Sequence, residues 1–109
     1  MTKDRRKGTE RRSVKRHDVT IDIEWEGVGR REEGVLGDIS EKGCFVLGSG
    51  NVANGEVVNI FVPISDGMKI QFTGEVVNHV VEIGFGMRFT GLNSAQKELL
   101  HRILEEAQK

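Results

Sequence analysis

Four side chains and a glycine, in two short clusters, carry the chemistry that this sequence offers. Arg12 and Arg16 stand four apart in Arg12-Ser13-Val14-Lys15-Arg16, and 22 residues after Arg16 the chain reads Asp38-Ile39-Ser40-Glu41-Lys42-Gly43. A guanidinium fork donates two parallel hydrogen bonds to a phosphate or to the O6 and N7 edge of guanine. Its plane also stacks on a base. A carboxylate at Asp38 can accept from guanine N1 and N2, and a hydroxyl at Ser40 can donate or accept. Gly43 admits positive φ and a close ligand approach at the turn. Together the clusters suit a small ligand that carries both phosphates and a guanine-like edge. The spacing alone does not choose among the arginines, since Arg6 and Arg11 offer the same fork. Asp38 and Ser40 would also serve an ordinary polar strand end by satisfying local backbone groups.

These groups need a scaffold, and the hydropathy pattern describes one. Val19, Ile21, Ile23 and Trp25 alternate with Thr20, Asp22, Glu24 and Glu26, which predicts a strand with one buried face and Trp25 in the core. Residues 27–33, polar and with two glycines, read as a hairpin connection. A second strand is expected over 34–40, with Val35 and Leu36 as its inward candidates. On that strand Asp38 and Ser40 would share a face. Glu41-Lys42-Gly43 turns the chain into a third strand over 44–47. A fourth is expected over 56–62, closed by the hairpin signal Asp66-Gly67. Residues 68–80 form a fifth with a bend near Gly74, and 82–89 a sixth, with Ile83, Phe85, Met87 and Phe89 on one face. Asn93 with Gln96 resembles a capping box, or Ser94 is the cap itself. The following stripe of Ala95, Leu99, Ile103 and Ala107, widened by Leu100 and Leu104, predicts an amphipathic helix at about 94–107. The fold class is therefore all-β with one helix: a six-stranded antiparallel β-barrel plus a C-terminal α-helix that covers it.

Composition narrows the function. The 109 residues suit one domain, with a basic arm over 1–10 read as weakly ordered and a single barrel domain over 11–109. The net charge of −1 hides a strong asymmetry: residues 1–17 hold eight basic and two acidic groups, and the remainder eight basic and fifteen acidic. A basic arm on an acidic body points to an anionic partner for the arm. The same acidic body, few aromatics and no tyrosine argue against nucleic acid as that partner. No apolar run approaches the ~20 residues needed to span a bilayer, so no membrane insertion is expected. The single cysteine, Cys44, forms no internal disulfide and fits a reducing, cytoplasmic setting. His17, His79 and His101 are scattered, no nucleophile–base set assembles, and Gly84 and Gly86 are not followed by the strand–turn–helix of a dinucleotide site. The expectation is a non-catalytic protein with no cofactor and no metal.

The two clusters, in this order and context, resemble the PilZ domain, a bacterial receptor module for the second messenger cyclic di-GMP. That family is marked by RxxxR just before its first barrel strand, here Arg12 to Arg16, and by [D/N]xSxxG at a later strand end, here Asp38, Ser40 and Gly43. The stretch Ile83-Gly84-Phe85-Gly86-Met87-Arg88-Phe89 is similar to the family's closing strand, and the resemblance runs over roughly residues 10–107. It implies that Arg12 and Arg16 hold phosphates and guanines, that Asp38 and Ser40 bind a guanine edge, and that Gly43 shapes the turn. It makes Arg11 an extra donor, whose charge leans towards an intercalated ligand pair. It also implies a signal relayed to an unidentified partner protein as the arginine loop orders over the barrel. A small-barrel nucleic-acid binder and a ligand-independent interaction domain are the alternatives.

Overall fold

The computed structural model describes residues 15–107. Arg11, Arg12 and the basic arm expected over 1–10 lie outside the described residues. The elements follow as β1 (His17–Gly27), β2 (Arg30–Ile39), β3 (Gly43–Leu47), β4 (Val57–Ser65), β5 (Met68–Val80), β6 (Gly84–Phe89) and α1 (Ser94–Ala107). The strands close into one barrel in the order β1-β2-β3-β6-β5-β4. All neighbours are antiparallel, and β1 meets β4 through Glu24–Phe61, Trp25–Ile60 and Glu26–Asn59. Closure removes the sheet edges that would otherwise template association.

The period of two in β1 does what it predicts: Ile23 and Trp25 are buried, while Asp18, Thr20 and Asp22 on the other face are exposed. Where the boundaries move, side chains on the outer face explain the shift. The connection expected over 27–33 shrinks to a two-residue turn, with Gly29 at φ 72°, and β2 begins at Arg30. Polarity of residues 30–33 does not stop a strand whose outer face is solvated. Arg31 Nη2 sits 2.9 Å from Glu24 Oε1, and its guanidinium lies 4.2 Å from the Phe61 ring centroid. β4 runs on to Ser65, carrying Pro63 at a register shift where no ladder donor is required. In β5 the irregularity falls between Val76 and Asn78 and not at Gly74. β6 starts at Gly84, so Ile83 is exposed in the turn while Phe85, Met87 and Phe89 point inward as expected.

The core is built from Trp25, Leu36, Ile39, Val46, Val58, Ile60, Phe72, Phe85 and their neighbours, with Trp25 and Phe85 meeting edge to face at 5.1 Å. Helix α1 is started by a reciprocal capping box: Gln96 N donates to Asn93 Oδ1 at 2.8 Å and Asn93 N donates to Gln96 Oε1 at 2.7 Å. The helix packs on β1 and β5. Leu100 and Leu104 are its buried residues, while Leu99 and Ile103 pack at the margin and Ala95 is exposed. The apolar stripe is thus centred half a step round the helix from the one expected. Each fully buried leucine contributes about 1.5–3 kcal/mol, which ties the helix to the barrel.

Candidate functional site

Asp38 stands near the end of β2, just after a register shift between Leu36 and Asp38. Its cross-strand partners are Asp18 on β1 and Phe45 on β3. The next residue, Ile39, is 1% exposed in the core, so the strand end is anchored from beneath. The two carboxylate oxygens of Asp38 differ. Oδ2 lies 3.7 Å from Arg16 Nη1, whereas Oδ1 is buried and has no hydrogen-bond partner among the described residues. A buried, unsatisfied acceptor costs about 1–3 kcal/mol, and it is the kind of group that a ligand's N–H donors would relieve. Arg16 reaches Asp38 from the exposed segment before β1, with 69% of its side chain accessible.

The turn that follows is held by Ser40. Its amide donates to Gly43 O at 2.8 Å. Its Oγ accepts from Lys42 N at 3.1 Å and Gly43 N at 3.2 Å, and donates to Gly43 O at 3.3 Å. β2 ends at Ile39, so Ser40 lies beyond the strand on which it was expected to share a face with Asp38. It is buried, and its hydroxyl is committed to the turn. Gly43 is also placed differently from expectation. It does not have positive φ. Its lack of a side chain serves the approach of β6 instead: a Cβ there would collide with the Met87 carbonyl oxygen and lie 3.1 Å from Arg88 Cα. The β3–β6 pair that begins Gly43–Arg88 therefore closes directly behind the turn. Beneath it, burial pushes the Cys44 thiol far above its ordinary pKa. The Asp38 charge adds to that rise and Arg16 opposes it.

Arg16, Asp38, Ser40 and Gly43 thus converge, and Arg11 and Arg12 fall outside the described residues. Sequence reasoning missed Phe45. It lies opposite Asp38 on one side and opposite Gly86 on the other. The sequence carried no signal for it, because Cys44-Phe45-Val46-Leu47 is a continuous apolar run; the structure buries Cys44 and Val46 and leaves Phe45 between them facing out. Elsewhere on the barrel an open groove of about 520 Å³ is lined by Asp22, Glu24, Glu33, Val35, Phe61 and Lys69 among others. Its chemistry is already paired internally: hydrogen bonds from Lys69 foremost, and from Arg31, hold the Glu24 carboxyl below the usual range. Among the described residues no cluster of His, Cys, Asp and Glu could hold a metal ion, and no helix is long and apolar enough to cross a membrane.

A family model described as PilZ domain matches residues 10–106. The chain belongs to the PilZ domain family. Solved structures agree on the fold. The PilZ domain with c-di-GMP of YcgR from Escherichia coli is 15% identical, with a TM-score of 0.72 over 91% of this chain and 92% of that one. The PilZ domain of CeSA from a cellulose-synthesizing bacterium is 20% identical, with a TM-score of 0.68 over 87% of this chain and 99% of its own. The PlzA protein of Borreliella burgdorferi in complex with c-di-GMP is 14% identical, with a TM-score of 0.66 over 80% of this chain and 38% of PlzA. No curated protein matches the chain. Within this PilZ barrel, the turn from Asp38 to Gly43 carries the [D/N]xSxxG pattern and Arg16 ends the RxxxR pattern that the sequence shows.

Proposed function

We propose that this PilZ domain is a non-catalytic receptor for cyclic di-GMP, and that ligand capture orders the arginine segment over the barrel and relays occupancy to a partner protein. The observation that carries the reading is the buried, unpartnered Oδ1 of Asp38 beside the Arg16 guanidinium. An acceptor so placed suits the N1–H and N2–H₂ donors of guanine. Adenine presents an acceptor at N1 and would be rejected. Two neighbours of known structure are named as complexes with c-di-GMP, which supports the same ligand here.

In this mechanism Arg12 and Arg16 hold the phosphates and stack on the guanines, and Arg11 supplies a further donor. Asp38 accepts from the guanine edge. Ser40 shapes the turn, to which its hydroxyl is committed. Gly43 lets β6 close behind the turn. The net positive charge of residues 1–17 speeds encounter with a dianion and makes affinity salt-sensitive.

The test is isothermal titration with cyclic di-GMP at two salt concentrations, with cyclic di-AMP and a single-stranded oligonucleotide as controls. Saturable binding near micromolar or tighter, weakened by salt and absent with cyclic di-AMP, is expected. Arg12→Ala and Arg16→Ala should each weaken it by roughly tenfold to a hundredfold, the equivalent of one charge-assisted hydrogen bond of about 1.5–3 kcal/mol. Unchanged affinity in both variants would refute the arginine clamp. Preference for the oligonucleotide, or no binding at all, would refute the receptor.

A further inference from the structure

Phe45 is an outward residue on β3, set between the core residues Cys44 and Val46. Its ring is oriented by what β6 lacks. A Cβ built on Gly86 would lie 3.7 Å from Phe45 Cδ1, and one built on Gly84 would lie 2.9 Å from Cε2. Cδ1 and Cε2 are opposite corners of the ring, so the ring lies along β6 across both glycines. The ring is only partly buried, so part of it remains open to solvent beside the strand. Val77 closes the far side, its Cγ2 being 3.8 Å from the Gly86 Cβ position. On the near side stands Asp38, the direct cross-strand partner of Phe45, with its unpartnered Oδ1 and with Arg16 above it.

We propose that the Phe45 ring, laid across Gly84 and Gly86, is the stacking platform for the purine base whose edge Asp38 reads. This rests on the cyclic di-GMP reading above and assigns a residue to it. The base lies on Phe45, its Watson–Crick edge points at Asp38, and the Arg16 plane covers the opposite face. Aromatic and guanidinium planes both stack on bases, and a side chain two positions on from Gly43 is thereby part of the site. Gly84 finds a role here, because a Cβ there would come within 2.9 Å of the ring and displace it, whereas one at Gly86 would make only ordinary contact.

The experiment separates stacking from plain coverage of the glycines. Cyclic di-GMP affinity is measured by titration calorimetry for the full chain and for Phe45→Leu and Phe45→Trp, with thermal unfolding of each as a fold control. NMR of the wild-type complex then reads the guanine H8 resonance. Phe45→Leu, which still covers the strand, should weaken binding roughly fivefold to a hundredfold. Phe45→Trp should stay close to wild type, and H8 should move upfield with cross-peaks to the Phe45 ring. Wild-type binding with unchanged affinity in a folded Phe45→Leu, or with no upfield displacement, would overturn the platform alone. Should Phe45→Leu fail to fold, the wild-type H8 shift decides the matter. Failure of the wild type to bind would overturn the receptor reading itself and the platform with it.

Discussion

Replacing Gly43 by alanine asks whether this position is glycine for its backbone angle or for its neighbours. The backbone angle is not the reason, because φ there is not positive. The neighbours are. The new Cβ would collide with the Met87 carbonyl oxygen, with the Met87 carbonyl carbon at 3.0 Å and Arg88 Cα at 3.1 Å. All three are backbone atoms of a paired strand, so none can swing aside as a flexible side chain would. Relief requires β3 and β6 to part at the first rung of their ladder, where Gly43 pairs with Arg88 and Phe89 N donates to Lys42 O at 2.7 Å. Overpacking of this kind costs about 1–3 kcal/mol, which for a domain of this size lowers Tm by roughly 5–20 °C. Gly86→Ala is the matched control on the same pair of strands. Its Cβ meets Phe45, Val77 and Asn78 at 3.7–4.0 Å, which is ordinary contact. Thermal and urea unfolding of both variants, without ligand, gives the comparison. Gly43→Ala should be the less stable by about 1 kcal/mol or more. Equal stability of the two would refute the close-approach argument.

Two further outcomes follow from the same geometry. Asp38→Ala should leave the ligand-free domain as stable as wild type or slightly more so, because it removes a buried unsatisfied oxygen at the expense of one exposed ion pair worth about 0–1 kcal/mol. The same variant should weaken cyclic di-GMP binding by roughly tenfold or more. A loss of ligand-free stability beyond about 1 kcal/mol in thermal unfolding would show that Asp38 is structural. The second concerns Glu56, whose carboxylate accepts from Ala53 N at 3.0 Å and Val28 N at 3.1 Å and faces Arg30 at 3.7 Å. These partners, the Ala53 amide foremost, hold its pKa below the ordinary value against the opposing effect of partial burial. A depressed folded-state pKa means that the contribution is complete above the unfolded value of about 4.3 and is lost as pH falls through the folded one. Glu56→Gln should therefore cost about 1 kcal/mol at pH 7 and progressively less below pH 4 in urea unfolding. A gap that stays constant down to pH 3 would contradict the assignment.

Much of the architecture is written in local patterns. The alternation through Ile23 and Trp25, the Asp66-Gly67 hairpin and the Asn93–Gln96 box each act over a few residues, through side-chain period and backbone hydrogen bonding, and each is legible without a partner strand. The strand count, the antiparallel order and the helix were therefore within reach, as were the two clusters that mark the PilZ family. The limits of β2 and β6 were not. Residues 30–33 join a strand because Glu24 and Phe61 across the sheet take up Arg31, and no local signal carries that. The stripe on α1 shifted for a similar reason: which of two adjacent apolar rows is buried depends on the angle at which β1 and β5 receive the helix.

The same division runs through the site. The sequence by itself determined which chemistry is available, namely guanidinium, carboxylate, hydroxyl and a tight turn, since these are properties of residue types and short spacings. Tertiary structure decided what each group is free to do. Ser40 is committed to its turn because three hydrogen bonds reach its Oγ. Asp38 is left with one open acceptor because its strand end is buried on one side only. Gly43 is glycine because a distant strand passes close, and Phe45 stands beside Asp38 and over Gly84 and Gly86 because the β2–β3–β6 register brings them together. Contacts between residues some 40 positions apart are set by barrel closure and register, and a pattern read along the chain has no access to them.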